Sequence, residues 1–522
     1  MIIQYMLIAL VGCVGNLNSI TGQSLCNRPI VLGSLVGLIL GDLRQGVIIG
    51  CSLELAYMGV VVIGVSSAVN MNVAGTLGTA FAMLTGNGPE IAIALAIPCS
   101  LMMTLIGRVY GILRLWLVRF ADDCGKKGDY KGVERWHWTF FFIGIAYTFV
   151  VYFLALLLGG DVIQAIVDAV PAFIMQGLQA GTALLPGLGF AMLLNMIWSK
   201  EIAAFFFIGF VLSVYLGLDN TSIAILAGCI AILFFFFMKT EKNDDVEETE
   251  EIIERERLLD KKTLNSIHWR SYALEGSFNS ERFQGFGFAY SMIPALKKFY
   301  GEGTEEFKEA LSRHMEFFNT TPTCVTLITG VALAMEEEKA VTKALPGSAV
   351  SNVKVALMGP VAGIGDSIFW GSYRIICASI GCQLGMTGSI MGPLVFLILF
   401  NIPNVAIHYF GLMKTYEFGN SFIKKMYASN VMDKITLCCS IMGIMMIGSM
   451  TASLVEVSTP FTATFGETTF VLQELLDAIL PGMLPLLTVF GISHVLKKQV
   501  SVMNLMMILL LVGIIGRFFG LL

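Results

Sequence analysis

Residues 203–238 read AAFFFIGFVLSVYLGLDNTSIAILAGCIAILFFFFM, with Asp219 as the one charged side chain in the run. About 20 mostly apolar residues are enough to cross a bilayer as a helix. Residues 434–456 and 502–522 have the same character. In lipid, every backbone N–H and C=O must find a partner inside the protein, which restricts spanning structure to helices and closed barrels. Runs this long and this continuously apolar predict an all-α polytopic membrane protein. Composition agrees: 14% of the residues are charged, against about 25% in soluble chains. The first segment lacks a basic leader region and runs on into polar sequence, so no cleaved signal peptide is expected.

The net charge of −5 argues against a nucleic-acid partner. The 11 cysteines are scattered without metal-ligand spacing, and the 5 histidines stand apart from one another. Neither disulfides, nor a metal, nor a nucleophilic triad is expected.

Composition divides the chain. KTEKNDDVEETEEIIERERLLDKK, beginning at Lys239, has no Gly or Pro and more acidic than basic residues. It reads as a solvated, partly helical linker. The expected organisation is a membrane half over 1–238, a charged cytoplasmic linker over 239–264, and a second half over 265–522. The second half begins with a mixed region and turns membranous near Asn352. Basic residues mark the cytoplasmic side, and Arg108, Arg114, Arg119, Lys126, Lys127, Lys131 and Arg135 cluster between two apolar segments.

Within RPIVLGSLVGLILGDLRQGVIIGCSLELAYMG, residues 28–59, Gly33, Gly37 and Gly41 recur every four residues, as do Gly46 and Gly50. Small residues at this spacing let membrane helices touch closely. Ionisable groups in such segments are costly and normally face a partner or a polar cavity. Asp42 has Arg44 within reach, so a structural and a functional role stand level. Glu54 has no basic residue on its own face, which favours function. ALMGPVAGIGDSIFWGSYR, residues 356–374, is a weak echo with glycines before Asp366. Paired irregular segments of this kind point to a binding site between two related halves. Pro360 and the close glycines are expected to break the helix there.

These residues also carry a resemblance. RPIVLGSLVGLILGDLRQGVIIGCSLELAYMGVVVIG is similar to the signature of component IIC of the mannose-family sugar phosphotransferase systems. GSFNSERFQGFGFAYSMIPALKKFYG, HMEFFNTTPTCVTLITGVALAMEEE and VALMGPVAGIGDSIFWGSYR resemble component IID. The match covers nearly the whole chain, with the two components, usually separate chains, in tandem. The resemblance implies a bacterial inner-membrane permease of the elevator type, assembled as a homotrimer, that brings a hexose or amino sugar inward. It implies soluble IIA and IIB phosphocarriers as partners. The phosphoryl group comes from a phosphohistidine of IIB, and the chain binds no cofactor and carries no phosphorylated residue of its own. The absence of a P-loop or histidine constellation agrees.

Sugar hydroxyls need paired donors and acceptors, and aromatic faces cover the ring. EGSFNSERFQGFGF supplies Glu275, Asn279, Glu281, Arg282 and Gln284 among phenylalanines. Gly285 and Gly287 suggest a bent or re-entrant backbone; the other reading is an amphipathic interfacial helix. Glu316, Asn319 and Thr320 either contact sugar or cap a helix. Gln23 lies at a helix break before Arg28–Pro29, and Asn72 lies in a polar, small-residue run. The candidate substrate-binding set is Gln23, Glu54, Asn72, Asn279, Glu281, Gln284, Glu316, Asn319 and Asp366. Asp366 and Glu54 are the candidate proton acceptors for the sugar hydroxyl. The competing class is an ion-coupled secondary transporter in which Asp42, Glu54, Asp219 and Asp366 are coupling sites.

Overall fold

The structure, a computed structural model, describes residues 1–59, 70–169, 172–237, 258–279, 281–343, 345–419, 431–455, 457–465, 468–498, 500, 502–519 and 521. The first half opens with α1 (Ile2–Asn16) and a 3-10 turn (Leu17–Ile20). α2 (Pro29–Leu40) starts on a proline, whose fixed φ and missing N–H suit a first helical turn. It stops at Gly41, whose φ of +89° is open to glycine at little cost. Asp42 then begins α3 (Leu43–Ala56) by accepting the Gln45 N–H at 2.9 Å. α2 and α3 fold back on each other through the glycine ladder. A Cβ on Gly37 would stand 2.6 Å from Gly46 Cα, and one on Gly33 2.8 Å from Gly50 Cα. α4 (Met71–Val73) and α5 (Thr79–Leu84) flank a π-helical turn, Ala74–Gly78. α6 (Pro89–Lys126), α7 (Tyr130–Ala169), α8 (Ala172–Ile197), α9 (Ala203–Leu216) and α10 (Asn220–Phe237) complete the half.

Residues 239–257 of the acidic linker lie outside the described residues. The end of the expected linker already belongs to the second half: Leu259 is buried and Asp260 caps α11 (Lys261–Ser271). α12 (Gly285–Tyr300), α13 (Glu305–His314), α14 (Val325–Thr342) and α15 (Gly347–Gly365) follow. A second π-helical turn, Asp366–Tyr373, leads into α16 (Arg374–Gly385) and α17 (Met391–Phe418). α18 (Val431–Leu454) precedes a small antiparallel hairpin of β1 (Thr462–Phe465) and β2 (Thr468–Val471). α19 (Leu472–Ile479) and α20 (Met483–Lys497) form a pair bent by 81°, and α21 (Val502–Phe518) closes the fold.

Two local expectations are corrected. α15 runs unbroken through Gly359, Pro360 and Gly363, and the irregularity falls after it, in the π-helical turn at Asp366. The bend expected at Gly285 and Gly287 lies just before them, in the non-helical turn where Phe283 has a φ of +51°, and α12 is regular from Gly285 onward. Its glycines serve close approach instead: Gly285 lies against the Glu316 carbonyl and Gly287 against that of Leu274.

Among the described residues, 6 helical stretches are long and apolar enough to cross a membrane, or 7 if the bent pair counts as one span. The bent pair is a broken span or a re-entrant loop of this multi-pass membrane protein, and Pro29–Leu40 and Met71–Leu84 are apolar but shorter than a span. The halves share one core. α21 packs on α8, α18 on α9 and α10, and α16 on α3. Polar side chains stitch these contacts: Ser449 donates to Asn220 Oδ1 at 2.5 Å, Ser493 to Asn195 Oδ1 at 2.6 Å, and Arg374 to the Met58 carbonyl at 2.8 Å. Such bonds substitute for the hydrophobic drive that lipid cannot supply.

Candidate functional site

The segment between the 3-10 turn and α2 carries an unusual backbone. Gly22, Gln23 and Leu25 have φ of +61°, +58° and +64°. The left-handed region costs a non-glycine residue about 1–3 kcal/mol, and such strain gathers at functional sites. Here it aims Gln23 away from its own half, and its Nε2 donates to Glu275 Oε2 at 2.8 Å. Glu275 sits in the turn after α11. Its other oxygen accepts from Gln284 Nε2 at 3.2 Å. Gln284 also brackets Thr320, donating to its carbonyl at 2.9 Å and accepting its N–H at 2.8 Å. Next along the chain, Thr321 Oγ1 donates to Asp366 Oδ1 at 2.6 Å. Segments far apart in sequence, from both halves, therefore meet in one polar chain: Gln23–Glu275–Gln284–Thr320, then Thr321–Asp366.

Burial pushes the Glu275 carboxyl above the ordinary carboxylate range, and the donors from Gln23 and Gln284 pull it back. Gln23 Oε1 and Thr320 Oγ1 are buried without a partner among the described residues. They are the atoms that a ligand hydroxyl can satisfy.

The other sequence candidates fall elsewhere. Glu54 is fully buried, and its carboxylate is clamped by Arg28, with Nε at 2.9 Å and Nη2 at 2.5 Å from Oε1. The expectation that it lacks a basic neighbour is corrected: the partner comes from the start of α2, not from its own helix. Asn72 joins helices, donating to the Gly12 carbonyl at 2.8 Å and to Asn16 Oδ1 at 3.2 Å. Asn279 Oδ1 accepts the N–H groups of Glu281 and Arg282 at 3.1 and 2.8 Å and so shapes the turn that delivers Gln284. Glu281 is exposed. Glu316 is exposed and accepts from Ser351 at 3.0 Å. Asn319 is exposed beside Met358. Asp42 and Asp219 are exposed helix caps, which gives neither the sheltered setting a coupling site needs.

Three members of the cluster, Glu275, Thr320 and Thr321, are absent from the sequence-derived substrate-binding set, although Glu275 and Thr320 stand among the polar residues singled out in sequence. Glu275 stands in the polar stretch that drew attention, and Thr321 in HMEFFNTTP. What singles out Glu275, Thr320 and Thr321 is their partners, and these lie 252, 36 and 45 residues away.

Sequence comparison bears on the same two-part architecture. Residues 258–522 match the family model for the PTS system mannose/fructose/sorbose family IID component. The chain belongs to this family. Residues 2–233 match the model for the PTS system sorbose-specific IIC component, so both membrane components of a sugar phosphotransferase permease lie in one chain. The mannose-specific EIID component of Escherichia coli K12 is 37% identical over 273 residues, covering 51% of this chain and 96% of that protein. The N-acetylgalactosamine permease IIC component 1 of the same strain is 32% identical over 217 residues, covering 41% of this chain and 81% of that protein. A chain of a cryo-electron microscopy structure of the mannose transporter ManYZ with microcin E492 is 37% identical. It covers 51% of this chain and 99% of its own length, with a TM-score of 0.31. As a member of the family, the chain is a sugar permease of a phosphoenolpyruvate-dependent phosphotransferase system, and the ion-coupled alternative is set aside.

Proposed function

We propose that the chain carries a hexose or amino sugar inward and presents it for phosphorylation by phospho-IIB, with the sugar held at the polar chain that joins the two halves. The observation that carries this reading is the Gln23–Glu275 hydrogen bond, at 2.8 Å between a IIC loop and a IID turn. A carboxylate flanked by two carboxamides matches vicinal hydroxyls, each both donor and acceptor. Mannose, fructose, sorbose and N-acetylgalactosamine, named for relatives, form the natural panel of substrates.

Phosphoryl transfer to a hydroxyl requires that oxygen in line with the phosphohistidine, so positioning supplies most of the catalysis. Asp366 is the proton acceptor in this reading. Thr321 fixes one of its oxygens, leaving the other for the hydroxyl proton. Glu54 is reassigned from that role to an internal ion pair, since Arg28 occupies both of its oxygens. The phosphoryl group remains on IIB until it passes to the sugar, and no residue of this chain carries it. IIA and IIB carriers, a homotrimeric assembly and elevator-like movement of the core belong to the same reading and rest on family resemblance.

The test places the chain in membrane vesicles with phosphorylated IIA and IIB and offers the labelled panel. Sugar phosphate that forms only with the phosphoryl donor is expected. Accumulation of unmodified sugar that follows an ion gradient and ignores the donor would overturn the reading.

A further inference from the structure

Gln23 reaches Glu275 from a loop held in an unfavourable shape, and part of the grip on that loop comes from the other half of the chain. Asn404 Nδ2 donates to the Gly22 carbonyl at 3.1 Å, and Asn401 Nδ2 donates to the Ser24 carbonyl at 2.9 Å. The carbonyls of the two residues flanking Gln23 are thus each tied to α17. The two asparagines stand three residues apart, on one face of that helix. Asn404 is fully buried. On the same face one turn on, His408 stacks on Tyr272, with ring centroids 4.3 Å apart. The space above this pair accepts a glycine alone: a Cβ on Gly22 would meet Tyr272 Cδ1 at 2.7 Å and His408 Nε2 at 3.2 Å. The Gly22 N–H donates to the Tyr272 carbonyl at 2.9 Å, completing the IID side of the grip. Within the loop's own half, Asn18 receives the Gln23 N–H at 3.1 Å on its carbonyl and the Leu25 N–H at 2.8 Å on its side chain.

We propose that Asn404 and Asn401 are positioning residues for sugar recognition: from the IID half they lock the IIC loop so that the Gln23 carboxamide is presented at the shared polar site. This rests on the reading of that site as the sugar site. Neither asparagine touches the sugar. Each acts through Gln23: Asn404 fixes the Gly22–Gln23 peptide plane that leads into it, and Asn401 holds the Ser24–Leu25 peptide one residue further on. A strained loop of this kind relaxes when its restraints are removed, and the residue it displays then leaves its place. The arrangement also makes sugar affinity depend on the docking of the two components, because the residue belongs to one and its restraints to the other.

The test measures donor-dependent phosphorylation by the full chain in vesicles, using the panel sugar that is turned over. The variants are Gln23→Ala, Asn404→Ala, Asn401→Ala and the doubles Gln23→Ala/Asn404→Ala and Gln23→Ala/Asn401→Ala. A hydrogen bond lost on the way to a binding residue is expected to raise KM about five- to tenfold. Turnover at saturating sugar should stay within about twofold, the mark of binding lost equally from ground and transition states. A folding defect instead lowers the amount of active permease and leaves KM alone. Because the asparagines act through Gln23, each double is expected to have the KM of Gln23→Ala, not the product of the single effects. If Gln23→Ala leaves KM unchanged, the reading of the site fails and the positioning proposal with it. If Gln23→Ala raises KM while neither asparagine variant does, or the doubles multiply, the positioning proposal alone is overturned. If Asn404→Ala does not fold, the half-buried Asn401 decides on the same criteria.

Discussion

Glu54 and Glu336 are both sealed carboxylates, and both are held by arginine. Arg28 clamps Glu54, while Arg313, His314 and Tyr300 converge on Glu336 at 2.7, 2.9 and 2.6 Å. Removing one member of a buried pair leaves a naked charge and costs about 3–5 kcal/mol. Arg28→Ala is therefore expected to abolish the monodisperse peak in detergent size-exclusion chromatography. Asp366→Asn should leave that peak and depress sugar phosphate formation by about tenfold or more. A second expectation concerns acid. Burial and the Lys354 charge hold His314 down at about 4. Although burial opposes it, contacts with His314 and Arg313 hold Glu336 below the ordinary carboxylate range. Unfolded, the two titrate near 6.5 and 4.5, so in each case the unfolded chain takes up protons first as pH falls. Thermal stability in detergent should decline from about pH 6.5 downward, first through His314 and below about 4.5 also through Glu336. His314→Gln should make that slope shallower, with His268, also held down by burial, keeping part of it, and a melting series across pH checks it.

At the scale of elements, the α2–α3 hairpin depends on backbone contact, so any added side chain must push the helices apart. Gly37→Val is expected to destabilise the protein by about 1–3 kcal/mol, the range for overpacking, and thermal melting in detergent reads it. The close contact of this hairpin was legible in the four-residue spacing of Gly33 and Gly37 and of Gly46 and Gly50, while Gly41, counted on the same face, proves to be the turn, with nothing against it. Other features were hidden for physical reasons. The partner of Glu54 lies 26 residues away on another helix, and pairing across helices leaves no periodic trace. The π-helical turn at Asp366 was misread as a break at Pro360, because bilayer helices tolerate proline when neighbours satisfy the freed carbonyl. Gln23 was legible as a candidate through its polarity, while the left-handed backbone that aims it is set by tertiary contacts on residues that do not favour it. Asn72 and Asn279 read in sequence as substrate-binding candidates, but each has partners within the protein. Those partners are backbone and neighbouring side chains, so their place is structural.

At the scale of the whole molecule, the two halves form one body whose polar site neither could complete alone. α21 of the second half lies on α8 of the first, with Gly181 against Leu510, and α18 lies between α9 and α10. With so much of the interface made by helices remote from the linker, covalent continuity is expected to be dispensable. Residues 1–238 and 258–522 coexpressed as separate chains should copurify and phosphorylate sugar at close to the rate of the intact protein. In the proposed function, sugar lies between Gln23 of the first half and Glu275 and Thr320 of the second. The most direct measurement is a cryo-electron microscopy map of the intact chain with the sugar it phosphorylates. Sugar density is expected bonded to Glu275 and to the Gln23 and Thr320 oxygens that lack partners among the described residues. Sugar density elsewhere, with the Gln23–Glu275–Gln284 bonds undisturbed, would contradict that placement.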